Sequence, residues 1–302
     1  MSLRDDTLAL LPAAKEARER FLVLVATLRP ELHRYCARMT GSVFDGEDVV
    51  QDALAKAYFA LGQMADPPTL KPWLFRIAHN AALDFLKRYE RKNVDVVAEV
   101  PEPDETADRE VDPELVEAAL TVFVELPPVQ RSALILKDVL GHSLDEVATT
   151  LDTSVGAVKA ALSRARANVS PSGTAAPAPQ VLSAERQSSL DRYVTLFNQR
   201  NWSGLRALLG EETRLDLVSR VQRPVLEAKY FENYARVLMD DDIRAAPGFV
   251  DGVPVIGMFR SKDSAGPSYF LLLEWAGDGI SLIRDFHYVP YIAHDAQFTA
   301  AR

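Results

Sequence analysis

Apolar residues recur at helical spacing through the first part of the chain and in short strand-like runs through the last part. The sharpest pattern lies between Leu140 and Val169. Leu144, Val147, Ala148 and Leu151 form one stripe, and Val155, Val158, Leu162, Ala165 and Val169 form a second. Asp152-Thr153-Ser154 separates them with residues that suit turns and helix N-caps, because their short side chains bond nearby backbone N–H groups. Ser143 with Glu146 three residues later is a capping box. The spacing therefore predicts two short helices joined by a tight turn.

Upstream, residues 15–40 read as a helical stretch interrupted near Pro30. After Ser42, the residues Val49, Val50, Ala53, Leu54, Ala57 and Leu61 keep an apolar stripe, leaving Asp45, Glu47, Asp48, Gln51, Asp52 and Lys56 outside. A third helix is predicted from Leu70, with Pro72 in its first turn, where no backbone donor is needed. Trp73, Ile77, Ala81, Leu83 and Phe85 supply its apolar bulk. Between these helices and the 140–169 pair, residues 93–125 hold eleven acids against Arg109 alone, with prolines at 101, 103 and 113. Such acidic, proline-broken composition reads as an extended, poorly packed tether. Residues 170–179, SPSGTAAPAP, carry no charge and mark a second boundary.

Beyond that boundary, Leu190, Tyr193, Val194 and Phe197 open an amphipathic helix, and Leu205–Leu209 reads as a short second one. A helix is expected over Glu227–Met239, with Phe231, Tyr234 and Leu238 on one face. Strands are expected at Arg214–Ser219, around Phe249, and at Val253–Phe259, Tyr269–Trp275 and Ile280–Tyr288. Asp251-Gly252 and Gly277-Asp278-Gly279 suit hairpin turns. Helices followed by an antiparallel meander give an α+β domain.

Charge sharpens the picture. The formal charge is −9, unusual for a protein that only coats nucleic acid, so any DNA contact must come from local basic faces. Two helices supply them. No acid lies between Thr153 and Val169, where Lys159, Arg164 and Arg166 sit among small residues that permit close approach to a groove. Leu70–Lys92 carries Lys71, Arg76, Lys87, Arg88, Arg91 and Lys92 against Asp84 and Glu90. Aromatics among bases suit unstacked nucleotides and phosphates, and equally suit an amphipathic helix with Trp73 in a core. Cys36 is the only cysteine, expected as a packed core thiol, which excludes a disulfide framework and a thiol metal cluster. The acidic N-terminus has too short an apolar run for a signal peptide, and no stretch approaches a membrane span. A cytoplasmic protein without metal, cofactor or membrane association is expected.

Asp48-Val49-Val50-Gln51-Asp52, then Pro72-Trp73-Leu74-Phe75-Arg76-Ile77-Ala78-His79-Asn80, then Leu126-Pro127-Pro128-Val129-Gln130-Arg131 and the helix pair follow one another in a fixed order. That order resembles the extracytoplasmic-function group of the sigma-70 family, which keeps only regions 2 and 4. The resemblance implies a non-catalytic factor that binds core RNA polymerase, through its β′ clamp helices and β flap, and promoter DNA. It assigns polymerase contact to Asp48, Gln51 and Asp52, and −10 element contact to Trp73, Asn80, Asp84, Lys87, Arg88 and Arg91. It assigns −35 element contact to Ser154, Lys159, Ser163, Arg164 and Arg166, and a path through the polymerase to the acidic tether. The group often has Gly in the helix-turn-helix turn, where this chain has Asp152.

The last part of the chain, notably FVDGVPVIGMF and LIRDFHYV, resembles the SnoaL-like group of the NTF2-like superfamily, a curved sheet wrapped round a helix. The expected architecture is thus multidomain. Two all-α parts, region 2 at 15–95 and region 4 at 116–169, flank an acidic linker at 96–115, and a linker at 170–183 leads to an α+β cone at 184–297. Asp216, Tyr230, Arg236, Arg284 and His287 are the candidates for a pocket in the cone. Alternation along one strand puts Arg284 on one face, Asp285 and His287 on the other, with the Asp/His pair expected at the surface. The resemblance implies regulation in cis through contact between the cone and the sigma regions. The alternatives are an enzyme recruited to DNA, its cone hydrolysing or isomerising a small hydrophobic molecule, and a plain repressor.

Overall fold

The computed structural model describes residues 3–66, 69–90, 119–169, 180–219, 221–224, 230–237, 243–261, 264–277 and 279–301. Arg91, the acidic tether up to residue 118, residues 170–179, Asp278 and the ends of the expected 227–239 helix lie outside these. The tether's last residues correct the expectation, because Leu120, Val122 and Phe123 are buried in the core. The chain divides into two compact units, Met1–Ala175 and Ala176–Arg302.

The first unit is helical. Helices α1 (Leu3–Val25), α2 (Arg29–Thr40), α3 (Val43–Leu61) and α4 (Leu70–Glu90) are followed by α5 (Leu120–Val124) and α6 (Pro128–Leu134). A π-helical turn, Ile135–Val139, then leads to α7 (Leu144–Leu151) and α8 (Val155–Asn168). The expected break at Pro30 comes earlier, at Ala26–Leu28, because proline fits the first turn of α2 as well as it fits a break. Gly46 lets α2 and α3 approach closely; a β-carbon there would stand 2.6 Å from the Ala37 backbone. Glu47 is fully buried, contrary to its expected outer position, and forms an ion pair with Arg29. A buried pair survives only when both charges are matched, and Arg29 supplies the match from the preceding helix. Cys36 is fully buried, and burial pushes its thiol up, away from ionisation.

One hydrophobic cluster runs through both helical segments, from Phe21, Tyr35 and Phe75 to Phe123, Leu134, Val147 and Leu162. The parts expected as two separate helical domains thus share a core. Among the described residues, no helix is long and apolar enough to cross a membrane.

The second unit joins α9 (Ala184–Asn198), α10 (Trp202–Arg206), α11 (Tyr230–Val237) and α12 (Ile292–Asp295) to a seven-stranded sheet. Its strands are β1 (Leu209–Leu217), β2 (Val221–Pro224), β3 (Arg244–Val250), β4 (Val253–Phe259), β5 (Tyr269–Ala276), β6 (Gly279–Asp285) and β7 (Phe298–Ala300). Their order is β2-β1-β6-β5-β4-β3-β7. The expected meander is present from β3 to β6, but β1 pairs parallel to β6, so the sheet is mixed. The expected helix at Leu205–Leu209 ends at Arg206, and Leu209 already pairs with Ile280. Asp251 and Gly252 both take positive φ, 50° and 75°, which a two-residue hairpin turn requires. Leu190, Tyr193, Val194 and Phe197 are buried as expected, packed with Leu215, Ile256, Leu271 and Ile283 of the sheet.

Candidate nucleic-acid interface and a pocket in the sheet unit

The helix-turn-helix begins with the capping box. Ser143 Oγ accepts from the Glu146 N–H at 3.2 Å, and Glu146 Oε2 accepts from the Ser143 N–H at 2.8 Å. These bonds hold the Glu146 carboxyl below its usual range. Asp152 closes α7 at φ 53°, so a non-glycine residue carries the left-handed turn. Ser154 caps α8 by accepting from the Ala157 N–H, so its hydroxyl already has a structural task.

On α8 the apolar side, Val158, Ala161, Leu162 and Ala165, is buried. Lys159 is exposed, and Ser163 and Arg164 are partly exposed. Arg166 departs from the expected DNA-facing set. Its guanidinium grips the buried Asp138 with two bonds, 2.8 and 2.7 Å, and so ties α8 to the π-helical turn.

On α4, Asn80, Asp84, Lys87 and Arg88 are exposed together with Arg76, which the sequence reading left out of the set. Their three- and four-residue spacing makes one continuous face. Trp73 differs from the other expected contacts: it packs in the core beside Leu74 and Phe75 and is only 8% exposed. On α3, Asp48 and Gln51 are half-buried and Asp52 is exposed. Lys56 joins two expected sets, reaching Asp52 at 2.9 Å and Asp84 at 3.8 Å.

Polar bonds fasten α5–α8 to α1–α4. The Tyr35 hydroxyl meets His79 Nδ1 at 2.9 Å and Ser132 Oγ at 2.5 Å, and Ser132 Oγ lies 3.1 Å from His79 Nδ1. Burial lowers the His79 imidazole to about 4, keeping it neutral. Arg131 donates to the carbonyls of Leu126 and Val124 on its own side and of Met39 on α2. Glu31 of α2 accepts from Lys71 at 2.7 Å and from His142 at 2.9 Å. Burial works to raise its carboxyl, but these two partners outweigh it and hold the group low.

The sheet unit contains a cavity of about 90 Å³ lined by Leu217, Tyr230, Tyr234, Ile243, Asp285, His287 and Tyr288. Of the expected pocket residues, Tyr230 and His287 line it. Asp216 and Arg284 do not; they pair with each other at 3.2 Å between β1 and β6, each one residue out of phase with the lining residues Leu217 and Asp285. Arg236 is exposed on α11.

Asp285, expected at the surface, is buried at the centre of the pocket's polar bonds. The Tyr230 and Tyr234 hydroxyls donate to its Oδ2 at 2.9 and 3.0 Å, and the His287 backbone N–H donates to Oδ1 at 2.8 Å. Burial nevertheless pushes its carboxyl above the usual range. Among the described residues no group of three or more His, Cys, Asp or Glu side chains could hold a metal.

Residues 24–92 match Sigma-70 region 2, and residues 117–169 match Sigma-70, region 4. Together with the helix-turn-helix, these matches define a two-region sigma-70-type factor. The chain is 30% identical over 308 residues to the ECF RNA polymerase sigma factor SigG of Mycobacterium tuberculosis, covering 90% of this chain and 82% of that protein. It is 31% identical over 139 residues to SigM of the same species, covering 46% of this chain and 69% of SigM. The crystal structure of the M. tuberculosis extracytoplasmic function sigma factor SigJ aligns over 87% of this chain and 95% of its own, with 20% identity and a TM-score of 0.34. The chain belongs to the extracytoplasmic-function RNA polymerase sigma factors, and its function is in transcription initiation.

Proposed function

We propose that this chain directs core RNA polymerase to a specific promoter set and that its second unit regulates that step in cis. Asp48, Gln51 and Asp52 form the polymerase-facing edge on the β′ clamp helices, while the helix-turn-helix lies near the β flap. The exposed face of α4, Arg76, Asn80, Asp84, Lys87 and Arg88, takes the −10 element, and Arg91, which lies outside the described residues, is expected to contact it as well. Lys159, Ser163 and Arg164 take the −35 element, Lys159 and Arg164 chiefly at phosphates. Ser154 and Arg166 act one step back, by holding α8 in shape. The observation that carries this reading is the pair of exposed basic helix faces within the two matched sigma regions.

The packing of region 4 on region 2 through Tyr35, His79 and Ser132 is a resting form in this reading. A compact unit of about 170 residues is roughly 40 Å across. The −10 and −35 elements are named for positions about 25 base pairs apart, which is roughly 85 Å along the duplex. Both faces therefore reach their elements only after the two regions separate.

For the second unit, the mixed sheet that shares one hydrophobic core with α9 and α11 supports a SnoaL-like cone. The uncharged 170–179 tether supports a domain free to act on its own chain. Run-off transcription on a genomic promoter library, with core polymerase and either the full chain or a version ending at Ser170, tests both statements. Defined start sites with either protein, in different amounts, are expected. No transcript from either contradicts the sigma assignment of these residues, and equal amounts contradict cis regulation.

A further inference from the structure

The pocket in the sheet unit has a composition that limits what it accepts. Among the described lining residues Asp285 is the only acid, and none is Lys or Arg. Three neutral donors bond the carboxyl, and His287 is the one described lining group able to carry positive charge, where it acts to lower the Asp285 carboxyl. Burial pushes the Asp285 carboxyl up, the behaviour of a charge whose lost hydration is not fully replaced. Arg260 stands outside the lining set, with its guanidinium 3.5 Å from His287 Nδ1 and over the Tyr269 ring.

The rest of the wall is aromatic. Tyr230 and Tyr234 meet nearly at right angles, with centroids 5.0 Å apart. His287 and Tyr288 do the same at 5.1 Å. These rings line the cavity together with the aliphatic side chains of Leu217 and Ile243. Deeper in the unit, the Tyr193 hydroxyl is buried with no hydrogen-bond partner among the described residues. It adds a further aromatic dipole near Asp285 and no positive charge.

We propose that this pocket binds a small organic cation, a methylated ammonium or compact amine head group, held by the aromatic lining and neutralised by Asp285. Aromatic walls attract cations through the negative faces of their rings, and the attraction grows where water is excluded. The buried carboxylate adds a charge–charge term that anions feel as repulsion and neutral molecules do not feel. The cavity of about 90 Å³ equals the volume share of about three waters, which suits a head group of roughly three or four heavy atoms. Rings and carboxyl all belong to the second unit, so the site needs neither polymerase nor DNA. It deepens the regulatory reading by naming the chemistry of a signal, and it stands or falls separately from that reading.

The test is calorimetric titration of the full chain with choline and with 3,3-dimethylbutan-1-ol, which has the same shape without the charge. Saturable choline binding at least about tenfold tighter than the neutral isostere is expected. In Asp285→Asn the two should bind alike and weakly. Tyr288→Leu, at a half-exposed position that the fold tolerates, should weaken choline more than the alcohol. Equal binding of the two probes to the unaltered chain, or saturable binding of neither, overturns the proposal without reliance on any variant. A choline signal with no change in run-off transcription leaves the site standing and removes its regulatory meaning.

Discussion

Two buried titratable groups, one bonded by a tyrosine and a serine hydroxyl and the other by two tyrosine hydroxyls, have opposite characters in the two units. His79 sits in the helical unit with Tyr35 and Ser132, neutral and closed in by core residues from both sigma regions. Asp285 sits in the sheet unit with Tyr230 and Tyr234, but beside open space and with no Lys or Arg among the described lining residues. The first group pins two segments together and has nothing to bind. The second is a charge placed next to a cavity. A buried polar group signals function when its surroundings leave room for something else, and signals architecture when they do not.

The largest effect expected from breaking this comparison is on the closed side. His79→Ala opens a cavity and removes the shared partner of Tyr35 and Ser132, at a cost of about 3 kcal/mol in urea unfolding of the helical unit. Asp285→Asn keeps the shape and one acceptor oxygen for the His287 N–H, while its NH2 group replaces the oxygen that takes the Tyr230 and Tyr234 hydroxyls, which must turn to accept. The sheet unit's stability should change by no more than about 1–2 kcal/mol at neutral pH.

Acid should separate the two groups by sign. His79 has an imidazole lowered from 6.5 to about 4, so the unfolded chain binds the extra proton between those values. Its stabilising contribution is present above pH 6.5 and is lost as pH falls towards 4, on the order of 3 kcal/mol, measurable as the difference in slope between wild type and His79→Gln. Asp285 has a raised carboxyl, so there the folded state holds the proton more tightly. The sheet unit should gain stability from this group on acidification and lose it as pH rises, a trend absent in Asp285→Asn.

The smallest effect belongs to an exposed pair that serves as the control. Lys56→Ala removes the contacts to Asp52 and Asp84, which are about half exposed, and should cost no more than about 0.5 kcal/mol.

Local chemistry was legible in the sequence wherever it decided the structure by itself. Ser143 and Glu146 made their capping box, and Asp251-Gly252 made its hairpin, because each depends on residues only a few positions apart. Glu47 was misread because its partner, Arg29, lies on another helix, and periodicity carries no information about that pairing. Arg166 looked like a phosphate contact for the same reason, since Asp138 is 28 residues away. Short strands β2 and β7, and the parallel β1–β6 pair, depend on tertiary neighbours and left no periodic trace. Asp285 was assigned to the surface on the general behaviour of charged residues. The tyrosines that bury it come from Tyr230 and Tyr234, more than fifty residues earlier, and no spacing rule connects them.

The account turns on the helical unit being a closed form that opens on the promoter. Fluorescent labels at Ala55→Cys on α3 and Asp145→Cys on α7, both exposed positions, report the distance between the two regions while Cys36 stays buried and unlabelled. Energy transfer should be high in the free chain and fall when core polymerase and promoter DNA are added. Transfer that stays high in a complex that initiates transcription would contradict the account.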